Sequence, residues 1–138
     1  MVFSYHHPEL LDSDFTSISY KPLEDLMNQM GKPVKASMPI RDHFAYKYLL
    51  DIDGNSCTYS RCRWILLSNS ILLKVSSDFT QWYYKRLIPY ENYVPIQNDL
   101  SDLQEVFCWL KQEDKAAYAI AIGGQTLGEE ILVLPTFL

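Results

Sequence analysis

Apolar residues recur along the chain with two periods, one typical of helices and one typical of buried strands. A first short helix is predicted by apolar residues spaced i, i+3, i+4 and i+7, namely Leu23, Leu26, Met27 and Met30. Residues 39–44 predict a second short helix. Residues 45–53, 70–75 and 93–96 are instead short runs rich in strand-forming residues, and they predict three strands.

Helical patterns fill the segments between and after these strands. Residues 59–67 predict a helix with Thr58 or Ser60 as its N-cap, and residues 78–87 predict another. The Ser101 to Gln104 stretch matches a capping box that begins a third helix. A last helix over residues 115–122 is expected to break or bend at Gly123-Gly124. Strands alternating with such helices predict an α/β fold, a Rossmann-like parallel sheet with flanking helices.

Length, charge and cysteine content narrow the class of protein. The 138 residues predict one domain, with a linker and short helices over 1–44 and a core over 45–122. A net charge of −5 gives no general attraction to nucleic acid or anionic membrane. The three cysteines form no C-x-x-C pair, which disfavours zinc and disulfides and indicates reduced thiols in the cytoplasm. No apolar run is long enough to span a bilayer, and no secretory signal is visible.

A candidate site follows the first predicted strand. Parallel sheets bind ligands beyond the carboxyl ends of their strands, often where the next helix begins, which here means the segment from Asp53 to Arg61. Gly54 allows close backbone approach and a positive φ, and Arg61 offers a bidentate contact to a diphosphate. This pattern predicts an anion site.

Other interpretations of the same residues stay open at this point. Asp53-Gly54 between apolar runs is also a hairpin signal, although the helical spacing after Arg61 disfavours it. Asp51 and Asp53 share a strand face, which fits paired carboxylates for catalysis or metal binding, but we favour polar strand ends. Residues 82–84, Trp-Tyr-Tyr, favour packing over base stacking.

The order and spacing of several stretches over residues 46–114 extend beyond single motifs. They are YKYLLDIDGN (46–55), YSR (59–61), WILLSNS (64–70), Lys74, QWYY (81–84), LIPY (87–90), YVPI (93–96) and NDLSDL (98–103). Together they resemble glycosyltransferase family 90, which includes protein O-glucosyltransferases, capsule-associated fungal transferases and bacterial lipopolysaccharide-modifying transferases. The residues of these stretches are most similar to those of the bacterial branch.

The resemblance implies a GT-B architecture in which this chain corresponds to the C-terminal, donor-binding domain. The family's glycine-to-arginine loop contacts the diphosphate of a UDP-sugar, and its residues fall here on Gly54, Asn55, Ser56, Tyr59, Ser60 and Arg61. The resemblance implies no metal and no cofactor besides the donor. It also assigns the acceptor site and the catalytic aspartate to an N-terminal domain outside this chain, so catalytic residues stay unassigned and activity of the isolated chain stays open.

The expected reaction is transfer of a sugar from a UDP-sugar to a hydroxyl of a surface glycan such as lipopolysaccharide. The alternative is a non-catalytic, truncated remnant that binds nucleotide or a partner protein. The partner would be a separate N-terminal half or a second copy of the chain. The long C-terminal helix of the family is expected to lose its pattern after Gly124, and residues 131–138 look unlike the family.

Overall fold

The computed structural model describes residues 10–13, 16, 19–58 and 60–133. The chain divides into two compact units, Met1–Ile40 and Arg41–Leu138. In the first unit, helix α1 (Lys21–Gln29) confirms the helix predicted from its apolar spacing. Gly31 follows it with φ of +70°, and the Lys32 N–H donates back to the Met27 carbonyl at 2.9 Å. Glycine adopts this left-handed exit without the steric cost of a side chain. Helix α2 (Ile40–His43) lies at the boundary of the units.

A three-stranded parallel sheet forms the centre of the second unit. Its strands β1 (Tyr48–Asp51), β2 (Ile71–Val75) and β3 (Val94–Ile96) lie in the order β1-β2-β3. The parallel pairing of β1 with β2 excludes the hairpin alternative, because a two-residue turn joins only antiparallel strands. β3 lies at the edge, as its proline predicted.

Three helices accompany the sheet. Helix α3 (Arg61–Leu67) lies in the connection from β1 to β2, and α4 (Leu103–Gln112) and α5 (Asp114–Val133) follow β3. The predicted α/β fold with a parallel sheet is therefore confirmed. Residues of the sheet and of these helices share one buried apolar core, which includes Ile65, Leu66, Leu72, Leu110, Leu127 and Ile131.

The helix predicted over residues 78–87 is wrong. The structure has only a 3-10 turn at Tyr84–Arg86, because the aromatic residues of this segment do not share a buried face. Tyr83 is 1% exposed, whereas Trp82 is 58% exposed. The Asn92 side chain stabilises the irregular chain instead, since its Oδ1 accepts from the Ile88 N–H and its Nδ2 donates to the Arg86 carbonyl.

Of the break or bend predicted at Gly123-Gly124, the break is wrong, because α5 continues to Val133. A Cβ at Gly123 would lie 2.1 Å from the Glu91 carbonyl oxygen, and one at Gly128 would lie 3.1 Å from the Leu66 carbonyl carbon. The glycines therefore allow close backbone packing and do not end the helix. The expectation that the helical pattern is lost after Gly124 fails for the same reason.

The predicted capping box is absent from α4. The helix begins at Leu103, and neither residue of the box caps it through its side chain. Asp102 occupies the N-cap position, and its carboxylate accepts instead from the Gln97 N–H at 3.0 Å. In the described part of the chain, no helix combines the length and apolar character needed to cross a membrane.

Candidate functional site

The carboxyl ends of the three strands meet at one edge of the sheet, because all three strands are parallel. A cleft of about 560 Å³ lies at this edge, after β2 and β3. Its lining includes Ser76, Ser77, Asp78, Tyr90, Gln97, Asn98 and Asp102. Sequence analysis placed the site only after β1, so the cleft enlarges the candidate site by two strand ends.

The cleft has a polar wall of hydroxyl, amide and carboxylate groups. Its charged side chains are Asp78 and Asp102, and no lysine or arginine is among the described residues that line it. Such a wall matches the hydroxyl and amide groups of an uncharged ligand, whereas an anionic phosphate would be repelled by the carboxylates. Tyr90 adds an exposed aromatic ring to this wall and packs edge-on against Trp109 with centroids 5.6 Å apart.

The loop over residues 52–60 connects β1 to α3 and carries most of the predicted diphosphate residues. Gly54 lies in open space, since a Cβ built there would meet no atom within 4 Å. Gly54 does not use the positive φ that glycine allows, because Gly31 is the only glycine of the described residues in that region. The Gly54 N–H donates to the Ser56 carbonyl at 3.1 Å, and Asn55 and Ser56 are exposed. The loop thus presents its glycine and polar groups to solvent.

Helix α3 begins at Arg61 and not at residue 59, and neither predicted N-cap residue makes a side-chain cap bond to it. Ser60 occupies the N-cap position without a side-chain cap bond. Thr58 instead donates its hydroxyl to Asp51 Oδ1 at 2.5 Å. Tyr59, which the resemblance assigned to the diphosphate loop, lies outside the described residues. With seven residues, α3 contributes a small dipole, so an anion here depends mainly on side-chain charge.

Arg61 supplies a cationic side chain at the start of α3. Its side chain is exposed and makes no hydrogen bond or ion pair with the other described residues. By contrast, Arg86 of the 3-10 turn is paired with Glu130. Gly54, Asn55, Ser56, Ser60 and Arg61 therefore all lie on the exposed chain that follows β1.

A buried ionic cluster joins the loop to the sheet, and sequence analysis missed it. Lys74 of β2 is 7% exposed, and its Nζ lies 2.9 Å from Asp53 Oδ2 and 3.2 Å from Asp51 Oδ2. Asp51 is fully buried. The two aspartates do lie at the end of the strand, as we favoured, but they also form ion pairs with Lys74. The available signal was a lysine inside the apolar run Ile71–Val75.

The cluster stabilises the charged form of its members. Burial alone would raise the pKa of Asp53, but hydrogen bonds from Ser77, Lys74 and the Thr58 N–H together lower that pKa below its ordinary value. Burial likewise opposes the charge on Lys74, yet the hydrogen bond to Asp53 and the charge of Asp51 raise the pKa of the ammonium. Both residues therefore stay ionised at neutral pH.

Aromatic and thiol groups pack beside this cluster. The Tyr84 ring lies with its centroid 5.4 Å from Lys74 Nζ. Burial raises the pKa of the Tyr83 and Tyr84 hydroxyls, and it raises that of the Cys62 thiol to about 12. Cys62 is therefore protonated and unsuited to nucleophilic chemistry. The buried Tyr83 confirms a packing role for one of the three aromatic residues at 82–84.

Comparison with known proteins gives relatives that align with most of this chain. Protein O-glucosyltransferase 3 of Rattus norvegicus is 33% identical over 135 residues, covering 98% of this chain and 26% of that protein. Protein O-glucosyltransferase 1 of Rattus norvegicus is 30% identical, covering 90% of this chain and 31% of its own length. Protein O-glucosyltransferase 2 of Danio rerio is 36% identical, covering 84% of this chain and 22% of that protein.

The chain thus spans less than a third of each of these relatives. The model of the family described as Glycosyl transferase family 90 matches residues 1–133, which extends the resemblance well beyond residues 46–114 and through α5. The family match covers nearly the whole chain, and the three relatives cover 84–98% of it at 30–36% identity. The chain belongs to glycosyl transferase family 90.

Proposed function

We propose that the chain is the donor-binding part of a glycosyltransferase that moves a sugar from a UDP-sugar to a hydroxyl of a surface glycan such as lipopolysaccharide. One observation carries the proposal: in a family 90 chain, an exposed Arg61, which has no ion pair with the other described residues, follows the loop at the carboxyl edge of the parallel sheet. Open α/β sheets bind nucleotides at this edge.

The donor would divide between two parts of the edge. The diphosphate would contact the segment that contains Gly54, Asn55, Ser56, Tyr59, Ser60 and Arg61. The uncharged part of the donor would enter the cleft, because that wall has hydroxyl and amide groups and no cation among its described residues. This division follows charge: the guanidinium of Arg61 attracts phosphate, whereas Asp78 and Asp102 repel it.

Arg61 would also assist the reaction itself. As the bond to the sugar breaks, negative charge grows on the departing UDP, and a guanidinium held against the diphosphate stabilises that charge. We assign no general base in this chain. Among the described residues, no group of three or more His, Cys, Asp or Glu side chains is arranged to hold a metal ion. UDP binding is therefore best measured first without divalent cations.

Calorimetric titration of the folded chain with UDP tests this function. Saturable binding is expected, and Arg61→Ala should weaken it by about 1.5–3 kcal/mol, the scale of a hydrogen bond to a charged group. Arg63→Ala is the matched control, because a residue two positions further along the same helix faces another direction. Absence of UDP binding by the folded wild-type chain would overturn the proposal and favour the non-catalytic remnant.

The acceptor has a second candidate, a protein hydroxyl. The relatives that match this chain are named protein O-glucosyltransferases. Labelled UDP-glucose supplied to lysates with and without the expressed chain would separate the two, because label would enter lipopolysaccharide in one case and protein in the other. We also propose a cytoplasmic location on the basis of the free thiols Cys57, Cys62 and Cys108.

A further inference from the structure

A single carboxylate connects the two parts of the candidate site. Asp53 Oδ1 accepts from the Thr58 N–H at 3.0 Å, which closes the loop on itself. Asp53 Oδ2 accepts from Lys74 Nζ at 2.9 Å and from the Ser77 hydroxyl at 2.5 Å. Because Ser77 also lines the cleft, the position of Asp53 determines both the loop after β1 and the wall after β2.

Lys74 holds this carboxylate from inside the sheet. It belongs to β2, the central strand, whose five residues are all buried. Its ammonium lies between Asp51 and Asp53 and faces the Tyr84 ring. With this burial, Lys74 acts on a ligand only through the groups that it holds. Without the ammonium, two buried carboxylates would repel each other and Asp53 would lose its fixed position.

We propose that Lys74 is a positioning residue of the donor site, which fixes Asp53 so that the loop over residues 53–58 and the Ser77 wall keep their binding geometry. The ligand in this inference rests on the proposed function. The ordering of the loop does not, because the hydrogen bonds that carry it exist without a ligand.

Lys74 also limits the negative charge beneath the loop. One ammonium against two carboxylates leaves a single negative charge in the cluster. Lys74→Met would leave two negative charges next to a diphosphate, while a neutral nucleoside would be affected far less. Other titratable groups that interact with Asp53 are Tyr84 and Cys62, whose raised pKa values keep them neutral.

The ordering of the loop is measured on the ligand-free chain by amide hydrogen exchange in NMR spectra. In Lys74→Met, protection of the Thr58 N–H should fall roughly tenfold or more relative to the Leu110 N–H of α4. Lys74→Arg should retain the protection, since it keeps the charge. Unchanged protection of Thr58, or an equal fall at Leu110, would overturn the positioning role.

A double variant separates the position of the Asp53 side chain from the net charge of the cluster. It also avoids leaving two buried carboxylates without a cation, which could unfold the chain. Lys74→Met with Asp51→Asn keeps the cluster at one negative charge, while Asp53 still loses its lysine. We expect the same loss of protection at Thr58, of roughly tenfold. Protection like that of the wild type in this variant would show that Lys74 acts through charge alone, and the inference would fail.

Binding measurements then connect the cluster to the ligand. Lys74→Met should weaken UDP binding about tenfold or more but uridine binding by less than about threefold, and Lys74→Arg should restore UDP binding. Equal weakening for UDP and uridine would contradict the inference. If the wild-type chain binds neither probe, the proposed function fails, while hydrogen exchange at Thr58 still decides the positioning role.

Discussion

The two ends of helix α3 differ in how closely the surrounding chain packs against them. At its C-terminal end, the backbone at Leu66 packs directly against Gly128 of α5, a contact that leaves no room for a Cβ without movement. At its N-terminal end, Arg61 extends into solvent after a loop whose Gly54 has open space around it. One end is fixed by shape, and the other is left open for a ligand.

The difference extends to the groups that hold each region in place. The glycine-packed region, which we define as Gly123, Gly124 and Gly128 with their backbone neighbours, is held by close backbone contact. The open end is held by the ionic cluster of Asp51, Asp53 and Lys74. Exposed polar groups can stay ready for a ligand there, because buried charges and not apolar side chains fix the loop beneath them.

Removing the buried cation should have the largest effect on stability. Lys74→Met leaves two buried carboxylates unpaired, and breaking a buried ion pair from one side costs about 3–5 kcal/mol. Urea unfolding followed by tryptophan fluorescence would measure the change. Lys85→Met, an exposed lysine in the 3-10 turn, is the control and should change stability by less than about 0.5 kcal/mol. A loss below about 1 kcal/mol for Lys74→Met would mean that the cluster is not needed to hold the open end.

A glycine-to-alanine change in each region should have the next largest effect, and its cost in stability should differ between the two regions. At Gly123 a Cβ would meet the Glu91 carbonyl oxygen, so Gly123→Ala should destabilise the chain by about 1–3 kcal/mol despite the higher helix propensity of alanine. At Gly54 the same change meets open space and should stay within about 0.5 kcal/mol. Thermal unfolding of both variants checks this. Equal effects at the two positions would remove the contrast between them.

The smallest expected effect is a dependence of stability on pH at the open end. The folded pKa of Asp53 is lowered, so its contribution is present above the ordinary value of 3.8 and is lost as pH falls through the lowered folded value. The raised pKa of Lys74 means that its contribution persists up to 10.5 and is lost only above that pH. Urea unfolding between neutral and acidic pH should show a shallower acid decline for Asp53→Asn than for the wild type. Parallel curves would show that Asp53 is not held by this cluster.

Sequence patterns predicted the sheet better than the segments around it. Runs of strand-forming residues made β1, β2 and β3 recognisable from composition. The central strand β2 is buried at all five positions, as is typical of a parallel sheet. The irregular segment before β3 was not recognisable, because the Asn92 side chain that stabilises it bonds to backbone groups four and six residues earlier, and apolar spacing does not reveal such bonds. Likewise, Gly123 looked like a helix end because its role depends on Glu91, in a distant turn.

The candidate site was predicted only in part, because some of its contacts join residues that are distant in sequence. The carboxyl edge after β1 follows from topology, and Arg61 follows from its place at the start of the next helix and from the family resemblance. The ionic cluster brings Asp53 together with Lys74, and no local pattern relates residues so far apart in sequence. Of the two predicted N-caps, Ser60 occupies the position without a side-chain bond, whereas Thr58 donates its hydroxyl to Asp51 of the ionic cluster.

Addition of UDP to isotopically labelled chain, followed by amide chemical shifts in NMR spectra, tests the central claim most directly. We expect shifts at residues 54–61 and at the cleft residues Ser77 and Asn98, with none at Gly123 or Gly128 of the glycine-packed region. Shifts confined to the glycine-packed region, or no shifts in a folded chain, would contradict a donor site at the carboxyl edge of the sheet.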